Sequence, residues 1–416
     1  MVKSSLIKEF LIIFSFIGTV FISQFPPARP IHLIGQIFPI LLWFFILTDK
    51  NRNQLLDLFK NKSSVLVLVL VFIFLVLCML SLSYSNNVNY GLDKLKGLLI
   101  NVLTSIIAFY FILKNFNEQT LKIFIFLFIS LGICLTVILL TQSNISYDGR
   151  TEILLWSHSG TGRFLGFSFI VSIYYFYMKR NNISFIFTII IIFGVILSGS
   201  RAVIIFLLPF YLISIFNFIK NNTKILYRQF LPIILLVIIS FILYIHYNLP
   251  RLETRFINIA TLNFAVDDSL NFRLEGLYKA IYMIKENPIF GWGIGGYDIN
   301  FSEYKSSGFM RYPHNIIIEV LVELGILGSL YFIATMVTVF INLFNINKYL
   351  FLFFIFAFLT ALFSGDIQYQ KALFISISLL LLNNNEKVIV SNLLNTKVSI
   401  HSQYLLQKNR DYEIQY

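Results

Sequence analysis

Apolar runs of membrane-crossing length recur along most of this chain, and no other feature narrows its architecture so far. A hydrocarbon core about 30 Å thick takes roughly 20 residues of helix. Runs of that kind lie near residues 8–24, 30–48, 64–84, 95–113, 121–141 and 162–178, and again near 184–198, 200–219, 229–247, 314–343, 349–364 and 370–385. The reading is an all-α integral membrane protein of about twelve transmembrane helices. Composition agrees: 57% of the 416 residues are hydrophobic and 12% are charged, a balance no water-soluble core can hide. The 46 Phe and 22 Tyr suit lipid-facing surfaces and interfacial belts. Cys78 and Cys134 both fall in apolar runs and imply neither a disulfide framework nor a metal cluster.

The net charge of +12 has no basic stripe with interleaved aromatics behind it, so nucleic acid is not an expected partner. Topology explains it better. Lys3 and Lys8 before the apolar run Phe10–Ile22 resemble a signal sequence, but the Ser-Gln-Phe-Pro-Pro that follows has no small-x-small site, so an uncleaved first span is expected. With the N-terminus inside, the larger share of Lys and Arg falls in cytoplasmic loops and tails. Arg29, Lys94, Lys96, Arg150, Arg163, Arg201 and Lys371 are then assigned to short outer loops. The expected domains are spans one to nine in 1–247, a long outward loop in 248–313, spans ten to twelve in 314–385, and a polar, partly disordered cytoplasmic tail in 386–416.

The outward loop differs in composition from everything around it, and its acids and bases balance. Within 271–286, Phe272, Leu274, Leu277, Ile281 and Ile284 keep helical spacing and Asn271 stands where a cap belongs, which predicts a helix along the membrane surface. Asn287 and Pro288 should stop it, and Gly291, Gly293, Gly295 and Gly296 permit a turn with close backbone approach. The Gly-rich stretch is no dinucleotide loop, because it follows a helix and no βαβ unit surrounds it. Asp267 and Asp268 read as solvated loop acids.

Arg201 sits in Leu-Ser-Gly-Ser-Arg-Ala-Val between two apolar runs with almost no loop. Its guanidinium either snorkels to the interface as a topological charge or forms an anion site, since its planar fork of donors matches phosphate. Arg150 and Arg163 frame another outer loop, and Arg273 opens the loop helix. Several arginines at one membrane face would suit a ligand with two adjacent phosphates. His314 follows Pro313 at the start of the tenth span. A lone histidine is more often structural, but a neutral imidazole there can take a proton from a sugar hydroxyl. Glu319 and Glu323, one turn apart on that span, need partners; they hold arginines or pair structurally.

Three stretches resemble the bacterial O-antigen polymerase and O-antigen ligase superfamily of membrane glycosyltransferases: Ser-Gly-Ser-Arg-Ala from Ser198, Arg273-Leu-Glu-Gly followed by Glu-Asn-Pro-Ile-Phe-Gly-Trp-Gly-Ile-Gly-Gly, and His314-Asn315 with nine residues before Gly325-Ile-Leu-Gly328. Their order and the long periplasmic loop between spans nine and ten extend the likeness over nearly the whole chain. The resemblance implies a periplasmic site at the bacterial inner membrane, where Arg201 and Arg273 hold the diphosphate of an undecaprenyl-diphosphate-linked oligosaccharide and His314 is the general base. Arg150, Arg163, Arg311 and Asn315 are the candidate substrate-binding residues around them. It implies no cofactor, nucleotide sugar or metal; its partners are the lipid-linked oligosaccharide and membrane lipid, with room for a regulator of chain length. Polymerase is the favoured activity, because the Arg-x-x-Gly helix leading into Asn-Pro-x-x-Gly-x-Gly resembles many polymerases; ligation to the lipid A core is the alternative. A transporter of polyprenyl-linked sugars would need polar residues at mid-membrane, which the first five spans hardly offer.

Overall fold

A computed structural model of the chain describes residues 2–21, 37–41, 62–141, 158–179, 182–200, 202–207, 268–297, 312–363, 366–382 and 385–394. Among these every regular element is helical. They include α1 (Val2–Phe21), α2 (Lys62–Ser81), α3 (Val88–Lys96), α4 (Leu103–Lys114), α5 (Glu118–Thr141), α6 (His158–Lys179), α7 (Asn182–Leu197), α8 (Asp268–Glu286), α9 (Ile316–Ile346), α10 (Lys348–Ala361) and α11 (Lys371–Phe374). A π-helical turn, Gly97–Val102, joins α3 to α4, and a tight helical segment, Ile375–Leu381, continues α11. Four stretches are long and apolar enough to cross a membrane: Val65–Tyr84, Val88–Lys114, Glu118–Thr141 and Ile316–Ile346. The chain is thus a multi-pass membrane protein, all-helical in its regular elements among the described residues. Of the remaining expected spans, those near 30–48, 200–219 and 229–247 lie mostly outside the described residues.

Two compact units are present. The larger takes the chain up to Leu127 and again from Arg273. In it α9 packs on α2 and on Ile375–Leu381, while α4 packs on that same segment and on α1. Aromatic contacts fill the joints: Phe16 stacks on Phe109 at 5.2 Å between centroids, and Phe332 meets both Phe74 and Phe374. The smaller unit holds Phe128–Phe176 and Arg180–Phe272. There α5, α6 and α7 approach closely through small residues: a Cβ on Gly132 would lie 2.8 Å from that of Ser168, and one on Gly194 would lie 2.1 Å from Thr136 Oγ1. Such pairs let helices pack where lipid offers no hydrophobic drive.

Several boundaries differ from the sequence expectation for local reasons. The span expected near 95–113 begins at Val88, because the Asn87 side chain accepts the Tyr90 N–H and caps the helix. Lys94 and Lys371, assigned above to short outer loops, are consequently buried inside the fold; the Lys371 ammonium donates to the Thr19 carbonyl at 3.0 Å. The described part of the loop helix runs Asp268–Glu286, so Asn271 lies within α8 rather than at its start. Residues 385–394 of the expected tail are helical, with Val390 and Leu394 buried and the Ser391 hydroxyl donating to the Ile346 carbonyl.

The long helix α9 is broken at Gly325, whose φ of 65° and ψ of −165° are open essentially to glycine alone. Into the break comes the Gly-rich turn after α8: Trp292 N–H donates to the Val322 carbonyl at 2.9 Å, and Ile326 N–H donates to that of Pro288 at 2.9 Å. A Cβ on Gly325 would sit 2.1 Å from the Ile289 carbonyl oxygen. We expect Gly325→Ala to cost more than the 1–3 kcal/mol of backbone strain alone, since the turn must also move. Gly199→Ala has left-handed backbone but no neighbour within 4 Å and should cost only the strain. Thermal unfolding in detergent checks this; equal losses from the two would contradict the packing account.

Candidate active site

The charged centre of the larger unit is a lysine shared among three carboxylates. Lys94 Nζ lies 2.7 Å from Glu319 Oε1, 2.6 Å from Glu323 Oε1 and 3.5 Å from Asp366 Oδ1, with all four side chains buried. An ammonium has three donors, so each hydrogen has a carboxylate to meet. Further donors close the carboxylates: Ile367 N–H reaches Glu319 Oε1 at 3.2 Å, and the Tyr90 hydroxyl and Gln368 Nε2 both reach Asp366 Oδ2. The Lys94 ammonium also stands 5.1 Å from the centroid of the Tyr90 ring. Glu319 Oε2 has no hydrogen-bond partner among the described residues. This knot ties α3, α9 and the segment before α11 together, and it answers the sequence question about Glu319 and Glu323: their partner is a lysine rather than an arginine.

The Gly-rich turn is threaded beside the knot, and its glycines stand where backbones touch. Gly295 approaches Gly91 of α3 so closely that a Cβ would sit 2.5 Å from the Gly91 nitrogen, and Gly291 would meet Gly325 N at 2.6 Å. The Ser81 hydroxyl accepts the Ile294 N–H at 3.0 Å, and that of Ser85 donates to the Ile294 carbonyl at 2.8 Å. Two side chains fasten the turn back to α8: Trp292 Nε1 donates to the Met283 carbonyl and the Tyr297 hydroxyl to that of Gly276, each at 2.9 Å. Burial, with the Glu319 charge second, pushes the Tyr297 phenol up, so it remains a donor at any ordinary pH. The helix carrying Arg273 and the helix behind His314 are therefore joined through one turn that is hydrogen-bonded to both.

His314 is the only non-glycine residue with a left-handed backbone among the described residues, at φ 56°. Pro313 precedes it, and Asn315 caps α9 by accepting the N–H groups of Ile317 at 3.0 Å and Ile318 at 3.2 Å. The imidazole is half-buried and makes an edge contact with the Tyr312 ring at 4.6 Å. Backbone strain of this kind clusters at functional sites, which keeps His314 among the candidates. Arg273 is half-buried near the start of α8, in the same unit as His314. Asn315 has its Oδ1 committed to the cap, which leaves its amide nitrogen as the group that can face a ligand.

Arg163 is buried on α6 in the smaller unit. Gly162 beside it packs against Ser200, the residue before Arg201, with 2.6 Å between the Ser200 Cβ and an added Cβ. Gly199 ends α7 with φ 67°, the left-handed residue that commonly stops a helix. Arg150, Arg201 and Arg311 lie outside the described residues. What sequence reasoning missed are Lys94, Asp366, Tyr90 and Gln368. An acid at 366 between two apolar runs was the available signal, since buried carboxylates demand partners.

The fold defines a multi-pass membrane protein with a charged cluster buried in its larger unit. Residues 185–333 match the family model described as O-antigen ligase, a stretch that includes α7, α8 and the first half of α9. The match supports the O-antigen polymerase and ligase superfamily that the sequence motifs resemble. No curated protein matches the chain.

Removing one partner of a buried ion pair typically costs about 3–5 kcal/mol. Lys94→Met should therefore abolish or nearly abolish accumulation of folded protein, because three carboxylates lose their cation. Glu319→Gln should be far milder, since it keeps an acceptor for Lys94 and lessens the negative excess. Detergent size-exclusion profiles and unfolding temperatures check this ordering, and a Lys94→Met protein as stable as its parent would contradict it.

Proposed function

We propose that this protein polymerises undecaprenyl-diphosphate-linked oligosaccharide repeat units into O-antigen or a related surface polysaccharide, at the periplasmic face of the bacterial inner membrane with both termini in the cytoplasm. The observation that carries the reading is His314, on strained backbone at the mouth of a membrane-spanning helix inside the segment that matches the O-antigen ligase family model. In this reading the His314 imidazole takes the proton of an acceptor sugar hydroxyl as that oxygen attacks the anomeric carbon of the donor. The bond from that carbon to the diphosphate oxygen breaks, and undecaprenyl diphosphate leaves. Arg201 and Arg273 hold the diphosphate and stabilise its growing charge, as fixed cations do for a departing phosphate. Arg150, Arg163, Arg311 and the Asn315 amide bind the glycan or its phosphates. The reaction inverts the anomeric centre and needs no nucleotide sugar.

The Arg273-Leu-Glu-Gly helix running into Asn-Pro-Ile-Phe-Gly-Trp-Gly favours the polymerase, whose acceptor is the end of another lipid-linked unit. The description of the matching family model favours a ligase, whose acceptor is the lipid A core. Deleting the gene and resolving surface glycans on a gel separates them. Polymerase loss leaves core capped with one repeat unit; ligase loss leaves bare core and accumulated lipid-linked polymer. Unchanged glycan contradicts both. His314→Ala should lower transfer by about 10²–10⁴-fold, the usual size of a general base, while the protein still inserts. Arg201→Lys should also impair it, a point charge replacing a two-pronged donor. Full polymer from His314→Ala would remove the base assignment.

A further inference from the structure

Helix α9 is longer than a membrane is thick, and its surface changes character at Gly325. Its 31 residues span about 46 Å, against a hydrocarbon core of about 30 Å. From Ile316 to Gly325 no large apolar side chain is exposed, whereas from Ile326 onward exposed ones recur through Leu330, Ile333, Val337 and Ile341 to Phe344. That band covers about 27 Å along the helix, close to a hydrocarbon thickness. On α2 and the short helical turn Leu82–Tyr84 after it, a comparable band runs from Leu66 to Tyr84. The Gly-rich turn meets both bands at their ends: Ile326 N–H donates to the Pro288 carbonyl, Leu327 N–H to that of Ile289, and the Tyr84 hydroxyl to that of Phe290.

At this level Ile289 and Phe290 point outward, Phe290 with 62% of its surface exposed. Just before them, α8 buries Gly276, Ala280 and Met283 on one side and exposes Leu274, Tyr278, Ile281 and Tyr282 on another, Tyr278 to 72%. Tyrosine on such a face suits the boundary between headgroups and acyl chains, and exposed Lys285 can snorkel from it.

We infer that α8 and the turn Pro288–Phe290 form a lipid-seated ledge: their exposed aromatic and aliphatic face is embedded in the headgroup and acyl boundary of the bilayer, and the hydrocarbon edge lies at Gly325. The occupant is phospholipid because the turn is hydrogen-bonded to the ends of both exposed apolar bands, through Ile326, Leu327 and Tyr84, and its own exposed Ile289 and Phe290 extend them, with the charged Lys285 and Glu286 beside it on the water side. Two consequences follow. Glu319 and Glu323 of the Lys94 knot stand on the first three turns of α9, beyond the hydrocarbon with His314 just before them, where charge is tolerable, and Arg273 is held at phosphate depth by its place in the first half of α8. The inference does not depend on which glycan is moved or whether any is.

The test is spin-label accessibility in phospholipid nanodiscs. Single cysteines replace Tyr282, Phe290, Ile333 or Glu286 in full-length protein with Cys78→Ala and Cys134→Ala, and collisions with oxygen and with a water-soluble nickel chelate are compared. Labels at Tyr282 and Phe290 should resemble the in-membrane control at Ile333, with nickel accessibility several-fold below that at Glu286 and oxygen favoured. Nickel accessibility equal to that at Glu286 would overturn the ledge. Spin–spin broadening at Tyr282 or Phe290 would also overturn it, by showing a second copy on that face.

Discussion

Everything in the larger unit depends on one cation buried among three anions. Taking Lys94, Glu319, Glu323 and Asp366 out of water costs several kcal/mol for each ion, and only mutual attraction with complete hydrogen bonding offsets it. Such a group is intolerant of displacement, so it fixes α3 against α9 and against the chain before α11. The widened π-helical turn after α3 fits the same arrangement, because a Cβ on Gly97 would lie 2.4 Å from Gln368 Oε1, in the residue that supports Asp366.

On that fixed base the backbone, rather than side chains, carries the next connection. Gly291, Gly293, Gly295 and Gly325 all have left-handed φ, and each faces another backbone closer than any Cβ allows. The turn that results couples the helix of Arg273 to the helix of His314 with little slack. Transfer chemistry needs a base and a charged clamp held to within a fraction of an ångström, and rigid supports supply that better than mobile loops. The strained His314 backbone is consistent with such a site, since strain persists only where the surroundings over-determine it.

Much of this was legible in one dimension. Apolar runs located the four membrane-length helices among the described residues, and Asn287-Pro288 marked the end of α8. The motif His314-Asn315 with nine residues before Gly325-x-x-Gly328 was visible as a pattern, but that it holds a cap at Asn315 and a kink at Gly325 came from the structure. Glu319 and Glu323 announced that a partner must exist. Lys94 did not announce itself as that partner, because counting Lys and Arg for topology treats every cation as a loop residue, and a pair separated by 225 positions leaves no local pattern. The same counting misplaced Lys371. Asn271 stands within α8 rather than at its start, because the helix is already formed at Asp268. Arg150, Arg201 and Arg311 fall outside the described residues; Arg201 is proposed from the Ser-Gly-Ser-Arg-Ala motif, and Arg150 and Arg311 from their place in the expected outer loops.

The central claim is that this chain moves a glycan off a lipid diphosphate. Its most direct measurement uses purified protein in liposomes with an undecaprenyl-diphosphate-linked repeat unit and no nucleotide sugar, following free undecaprenyl diphosphate and glycan length together. The account predicts one undecaprenyl diphosphate released for each unit added to a growing lipid-linked chain. A folded, correctly inserted protein that releases none, with lipid A core present or absent, would contradict it.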